Sequence, residues 1–265
     1  MEERILIRDD EEFERMSLNE RIQHVLLIIS FFVLIITGFP ILFYEFKAFK
    51  WLFFFQGSFA LRGILHRIAA VLLIVLSVYH VFYVIFSDRG RNNVKQLMPK
   101  WKDVQDAFGI FMHNLGFTRF LYKRDILKNF FNRNPSWLFL EPPKFERYNF
   151  IEKFEYLAVV WGSFVMIISG FFLWFEEVSI ALFPKWVYDV FKIIHGYEAL
   201  LAFLAVIVWH MYNVHLNPEN FPMSKIWITG KITGKELRLQ HPLEYERILN
   251  ERKKRGQPPL RSEDG

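Results

Sequence analysis

Four apolar stretches limit what this chain can become: Val25–Phe43, Leu61–Phe86, Phe154–Phe175 and Val190–Leu216. Crossing the ~30 Å hydrocarbon layer as a helix takes about 20 residues, so each is long enough. In lipid every backbone N–H and C=O needs an internal partner, which a helix provides for itself. The expected fold is therefore all-α: an integral membrane four-helix bundle made of two helical hairpins. Thirty-one Phe and 52% hydrophobic residues agree with a chain largely in contact with membrane lipid.

Local signals mark the ends of the spans. Ser17-Leu18-Asn19-Glu20 has the form of a capping box and starts the first helix. Gly38 and Pro40 mark its far end, and Ser58 after Gly57 is an expected N-cap for the second. Asn217-Pro218 stops the fourth.

An even number of spans puts both termini on one side. That side also carries the insert at 87–149, with twelve Lys and Arg, and a basic tail, whereas the opposite loops hold only Lys47, Lys50 and Lys185. The positive-inside rule then places the termini, the insert and the tail in the cytoplasm, as expected of a multi-pass protein of the inner membrane. The organisation reads as an N-terminal cytoplasmic segment (1–17), a first transmembrane hairpin (18–86), a cytoplasmic insert (87–149), a second hairpin (150–216) and a cytoplasmic tail (217–265). The charged first 21 residues do not read as a cleavable leader. Because the net charge of +5 is confined to particular loops, it reads as topology and not as a nucleic-acid footprint. Within the insert, Pro99, Pro135, Pro142 and Pro143 flank an amphipathic piece around Val104–Leu115, expected to be an interfacial or subunit-contact helix. Leu243–Arg255 is expected to be a charged helix, solvated or docked on a partner.

The spans carry histidines, and an ionisable group in a membrane is costly enough to need a reason. His66 and His80 lie in the second span, fourteen residues apart; His195 and His210 lie in the fourth, fifteen apart. At ~100° and ~1.5 Å per residue each pair stays near one face, its members on the order of 20 Å apart along the axis. The topology sets His66 and His195 near the outer surface. His24, His80 and His210 fall near the cytoplasmic one, with His215 slightly beyond and, at ~100° per residue, turned ~140° from His210. Two trans imidazoles make a six-coordinate haem b, which moves electrons and leaves no position for O2. The outer pair would be His66 with His195. On the inner side His210 pairs with either His24 or His80. Small residues such as Gly38, Gly63, Ala69, Gly170 and Gly196 would let a flat macrocycle approach the backbone. A lone membrane histidine is more often an interhelical hydrogen-bonding group; the joint spacing and depth favour ligands here. Zinc fits less well, because no carboxylate joins the histidines at ligand-like spacing. The absence of cysteine excludes thiolate sites, cysteine-held iron–sulfur clusters and CxxCH-attached haem. His113 and His241 read as surface and structural residues.

The hairpins look alike. Ile-Thr-Gly-Phe at 36–39 matches Ile-Ser-Gly-Phe at 168–171, Ile64-Leu65-His66 matches Ile193-Ile194-His195, and Tyr79-His80 matches Trp209-His210. Two parallel repeats imply a pseudo-two-fold axis along the membrane normal, with the second and fourth spans face to face.

At these positions the chain resembles the four-helix cytochrome b subunits of membrane-bound formate dehydrogenases and related cytochrome b partners of multihaem c-type cytochromes. The matching pieces are Arg21-x-x-His24, Gly63-Ile64-Leu65-His66, Tyr148-Asn149 with Lys153, Ile194-His195, Trp209-His210-Met211-Tyr212, Gly230-Lys231 and His241-Pro242-x-x-Tyr245. The resemblance implies an outer haem held by His66 and His195, an inner one held by His24 and His210, and a quinone near Asn149. The chain departs from this pattern in carrying His80, in its longer insert, and in the extra residue between His195 and His210. The extra histidine leaves three arrangements open: His24 with His210, His80 with His210, or a third haem on the leftover groups.

The function expected is a b-type cytochrome passing electrons across the bilayer between an extracytoplasmic partner, a multihaem cytochrome c or an iron–sulfur subunit, and quinone or menaquinone. Asn149 would hydrogen-bond a quinone carbonyl, with Glu152, Lys153 and a free His80 relaying protons; Asn149 equally reads as a helix cap, and Glu152 and Lys153 as interfacial anchors. The rival is a redox-inactive anchor for a soluble enzyme, its histidines only joining helices. A transporter is disfavoured, since the spans lack matched acidic pairs and broken helices.

Overall fold

The computed structural model describes residues 7–47, 59–115, 143–218 and 220–255. A short strand β1 (Glu12–Glu14) precedes α1 (Leu18–Leu42) and α2 (Phe59–Phe86). The insert contributes α3 (Asp88–Leu97) and α4 (Trp101–Asn114). Then come α5 (Phe150–Trp174), α6 (Glu176–Leu182) and α7 (Lys185–Leu204). The helical path of α7 continues in π form through Ala205–His210 and Tyr212–Leu216. The tail adds α8 (Ile226–Thr229), β2 (Lys231–Thr233), α9 (Gly234–Gln240) and α10 (Pro242–Lys254). The four expected spans are thus four helices long and apolar enough to cross a membrane. The expected cap at Ser58 and the prolines Pro135 and Pro142 lie outside the described residues.

The chain divides into two compact units, one formed by 14–91 and 157–231, the other by 1–13, 92–156 and 232–265. The first holds the membrane bundle. Its α1 starts where the sequence predicts: Ser17 Oγ accepts from the Glu20 amide and the Glu20 carboxylate accepts from the Ser17 amide. Pro40 does not end the helix; it sits in the last turn, and α1 runs on to Leu42. The α1–α2 hairpin has a single antiparallel register. Glu20 meets Tyr83, Gln23 meets His80 and, fourteen residues further on, Thr37 meets His66. The second hairpin packs similarly, Phe172 stacking on Phe191 at 3.8 Å.

The bundle's interior is more polar than its surface. Ser30, Thr37, Arg62 and Ser169 are buried, while Ile68, Phe86, Trp161, Leu201 and Val208 are exposed. That inversion suits a protein whose solvent is hydrocarbon, where small polar residues join helices and large apolar ones face out.

In the second unit the N-terminal segment, the insert and the tail come together. Ile7, Ile232 and Leu237 are its buried apolar centre. The tail helix, expected to be solvated or held by a partner, docks on its own chain. Leu243 N–H donates to Phe145 O, Arg147 pairs with Glu244 at 3.1 Å, and Arg252 reaches Glu11 at 3.0 Å. His241 is buried and its Nδ1 lies 2.8 Å from the Glu146 carbonyl, a structural role. The amphipathic insert helix begins at Trp101, three residues before the expected start, because the Asp103 carboxylate accepts from the Lys100 amide and caps it.

Candidate functional site

His66 on α2 faces His195 on α7 with ring centroids 6.4 Å apart and planes at 64°. An imidazole nitrogen ligates a transition metal at about 2 Å, and adding roughly 1 Å from each nitrogen to its ring centre puts two trans rings about 6 Å apart. His66 and His195 could therefore hold one iron between them, which would supply one-electron chemistry there. Each ring is held by its own hairpin: His66 Nδ1 lies 2.8 Å from Thr37 Oγ1, and His195 Nδ1 lies 2.9 Å from Ser169 Oγ.

The glycines beside these hydroxyls give each ring its place. A Cβ on Gly38 would lie 3.3 Å from His66 Cε1, and one on Gly170 would lie 3.3 Å from His195 Cε1, so each glycine makes room for an imidazole of its own hairpin. Gly196 accommodates Leu42, whose Cδ1 would be 2.9 Å from an added Cβ, and Gly63 has nothing within 4 Å.

At the other end of the bundle His24 faces His210, again at 6.4 Å and with planes at 60°. The fit to one iron is the same as for the outer pair. His24 Nδ1 is buried without a hydrogen-bond partner among the described residues, and Trp227 packs edge-on against its ring at 6.4 Å. His80 Nδ1 lies 2.8 Å from Gln23 Oε1, and its ring neighbours Tyr83. Of the two arrangements left open for His210, the geometry favours His24. Among the described residues His, Asp and Glu do not gather in groups of three or more that could hold a metal ion, so the donors present themselves as pairs.

The π segments answer the extra residue between His195 and His210. A π turn closes i→i+5 and takes in one residue more than an α turn, so the longer spacing is absorbed by winding. Five residues after His210, His215 lies within electrostatic reach of both His210 and His24. Its Nδ1 is buried and lacks a hydrogen-bond partner among the described residues.

Asn149 forms the cap of α5: its Oδ1 accepts from the Glu152 amide, and the Glu152 carboxylate accepts from the Asn149 amide, both at 2.8 Å. Lys153, named as a proton relay, is buried in an ion pair with Asp103 at 2.7 Å. Asp106 is also buried, and desolvation pushes its carboxyl above the usual range. Lys100, hydrogen-bonded to Glu146, holds that carboxyl below it. His113 is half-buried on α4, with an Nδ1 shielded from solvent. Glu198 packs its carboxylate against α5, where a Cβ on Gly162 would come within 3.1 Å.

Thr37, Ser169, Gln23 and Trp227 were not singled out from the sequence. The first two lie in the repeated Ile-Thr/Ser-Gly-Phe, a signal that the sequence carries. Gln23 and Trp227 had no such signal, since their roles depend on helix rotation and on the path of the tail. Trp227 is brought in by a tight turn after α8. Gly230 takes φ +78°, where a Cβ would meet the Met16 carbonyl at 2.3 Å, and its own carbonyl accepts from the Arg15 and Met16 amides.

The family model for prokaryotic cytochrome b561 matches residues 15–219, which include all four spans and the four facing histidines. No curated protein matches the chain. The spans, the facing imidazoles and a match over most of the length converge on one conclusion: this chain belongs to the prokaryotic cytochrome b561 family, as a multi-pass membrane b-type cytochrome that binds haem b and takes part in transmembrane electron transfer.

Proposed function

We propose that the protein is the quinone-linked electron carrier of a larger membrane complex. It exchanges electrons with an extracytoplasmic redox subunit, a multihaem cytochrome c or an iron–sulfur protein, and with the quinone or menaquinone pool. One observation carries this reading: two histidine pairs with the same 6.4 Å separation lie at opposite ends of the bundle, each drawing one histidine from the fourth span. His66 with His195 would hold the outer haem and His24 with His210 the inner one, giving two haems. Haem b supplies reversible one-electron chemistry at its iron when bound. With a histidine on each side, each pair would hold the group without leaving it an open position, which would suit electron transfer over binding of O2.

Quinone turnover also needs protons. His80 lies in a polar cluster with Gln23, and close by in the hairpin the Glu20 carboxylate accepts from Tyr83 and pairs with Arg89. This cluster is suited to accept and pass protons at the cytoplasmic end. Asn149, already the cap of α5, would donate from its amide to a quinone carbonyl, as the resemblance to formate dehydrogenase cytochromes implies. The basic loops support cytoplasmic termini.

The test is haem per polypeptide by pyridine haemochrome, followed by quinol-driven haem reduction in proteoliposomes. Two b haems reduced by quinol support the proposal. A folded protein without haem, made with ample haem supply, would leave the anchor reading. Unchanged quinol-driven reduction in Asn149→Ala would remove that residue from the quinone site.

A further inference from the structure

We propose that Thr37 and Ser169 are positioning residues that fix the tautomer of the outer histidine pair and tune the iron held there. This rests on the reading that His66 and His195 are ligands. Both hydroxyls are buried, with 3% and 0% exposure, so water cannot serve as their partner. Each donates to the carbonyl four residues back in its own helix: Thr37 Oγ1 to Val33 O at 2.6 Å, Ser169 Oγ to Val165 O at 2.7 Å. A hydroxyl has one proton, so with that proton committed its oxygen accepts. The nitrogens 2.8 and 2.9 Å away, Nδ1 of His66 and of His195, must then carry hydrogen. In a neutral imidazole this leaves Nε2 bare, with its lone pair available to a metal.

The arrangement occurs twice, in separate hairpins, with a glycine following each hydroxyl residue and the same 3.3 Å between its virtual Cβ and the ring's Cε1. Thr/Ser-Gly is thus a seat for an imidazole: the hydroxyl holds one nitrogen and the missing side chain lets the ring lie against the helix. Back-bonding to the i−4 carbonyl alone is common for Ser and Thr in membrane helices. The imidazole at hydrogen-bond distance on the other side is the additional observation. An Nδ1–H that donates a hydrogen bond makes the opposite nitrogen more basic, which stabilises ferric over ferrous iron and lowers the potential.

The experiment uses the full chain in nanodiscs, with 15N-labelled histidine. Thr37→Val keeps the branched shape and Ser169→Ala is the smallest change; each removes an acceptor. In the double variant the midpoint potential of one haem should rise while the other stays in place. The 15N signals of two histidines should show a weakened Nδ1–H hydrogen bond, since the Leu34 and Met166 carbonyls are the acceptors that remain. Thr37→Ser and Ser169→Thr keep the hydroxyl and should keep both signatures. If the hydroxyls only stabilise their helices, melting temperature will fall with potentials and 15N signals unchanged, and the proposal is overturned. It is equally overturned if the wild-type signals report the proton on Nε2. Should the double variant fold poorly, the single variants are read by the same two measurements. Retention of both haems in His66→Ala would defeat the ligand reading, a separate outcome that the 15N signals of Thr37→Val distinguish.

Discussion

His24 and His210 face each other at the separation that His66 and His195 adopt at the other end of the bundle, 6.4 Å between ring centroids in both pairs. The two pairs come from different helices. The outer one joins α2 to α7, whereas the inner one joins α1 to the π-wound continuation of α7.

From this difference follows a test of the inner ligand. His24→Ala should lose about half of the haem, seen in the pyridine haemochrome and in the reduced-minus-oxidised spectrum. His80→Ala should keep the full complement, because His24 already faces His210 at 6.4 Å. The reverse pattern would assign the inner site to His80.

The glycines separate a histidine seat from open helix surface. Gly170→Val should displace the His195 ring, which already lies 3.3 Å from a single added carbon, and should cost the outer haem. Gly63→Ala meets nothing within 4 Å and should leave the spectrum unchanged, while raising helix stability by up to about 1 kcal/mol. Haem content and thermal melting of the two variants check this together.

The buried Lys153–Asp103 pair predicts a large stability effect away from the haems. Their side chains are only 5% and 14% exposed. Lys153→Ala would leave the Asp103 carboxylate without its ammonium, which typically costs about 3–5 kcal/mol. Thermal unfolding should show a clear loss, and the b-haem absorption bands should keep their positions. A melting temperature equal to that of the wild type would mean the pair is solvated in the membrane-bound protein.

Asp106 gives a pH-dependent prediction. Its carboxyl is raised by burial, so the folded state takes up a proton more readily than the unfolded one. The stability tied to that proton is fully present below the unfolded value of about 3.9 and is lost as pH rises through the folded value. Asp106→Asn removes this dependence. The variant should melt higher than wild type at neutral pH, with the advantage shrinking toward pH 4. An advantage that is constant with pH would show that Asp106 does not titrate in this range.

The sequence alone determined the elements that depend on composition along one dimension. Apolar runs set four spans, the Ser17–Glu20 box set the start of α1, and Asn217-Pro218 set the end of the fourth span. Depth in the membrane follows from position along a helix, so the matched levels of His66 with His195, and of His210 with both inner candidates, were legible. Rotation about each helix was not, because hydropathy reports depth and says little about azimuth among apolar neighbours. Only the tertiary structure turned His24 toward His210 and His80 toward Gln23. The docking of α10 was likewise beyond a local reading. A charged helix looks the same in solvent or in contact, and the contacts of Glu244 with Arg147 and of Arg252 with Glu11 join residues far apart in sequence.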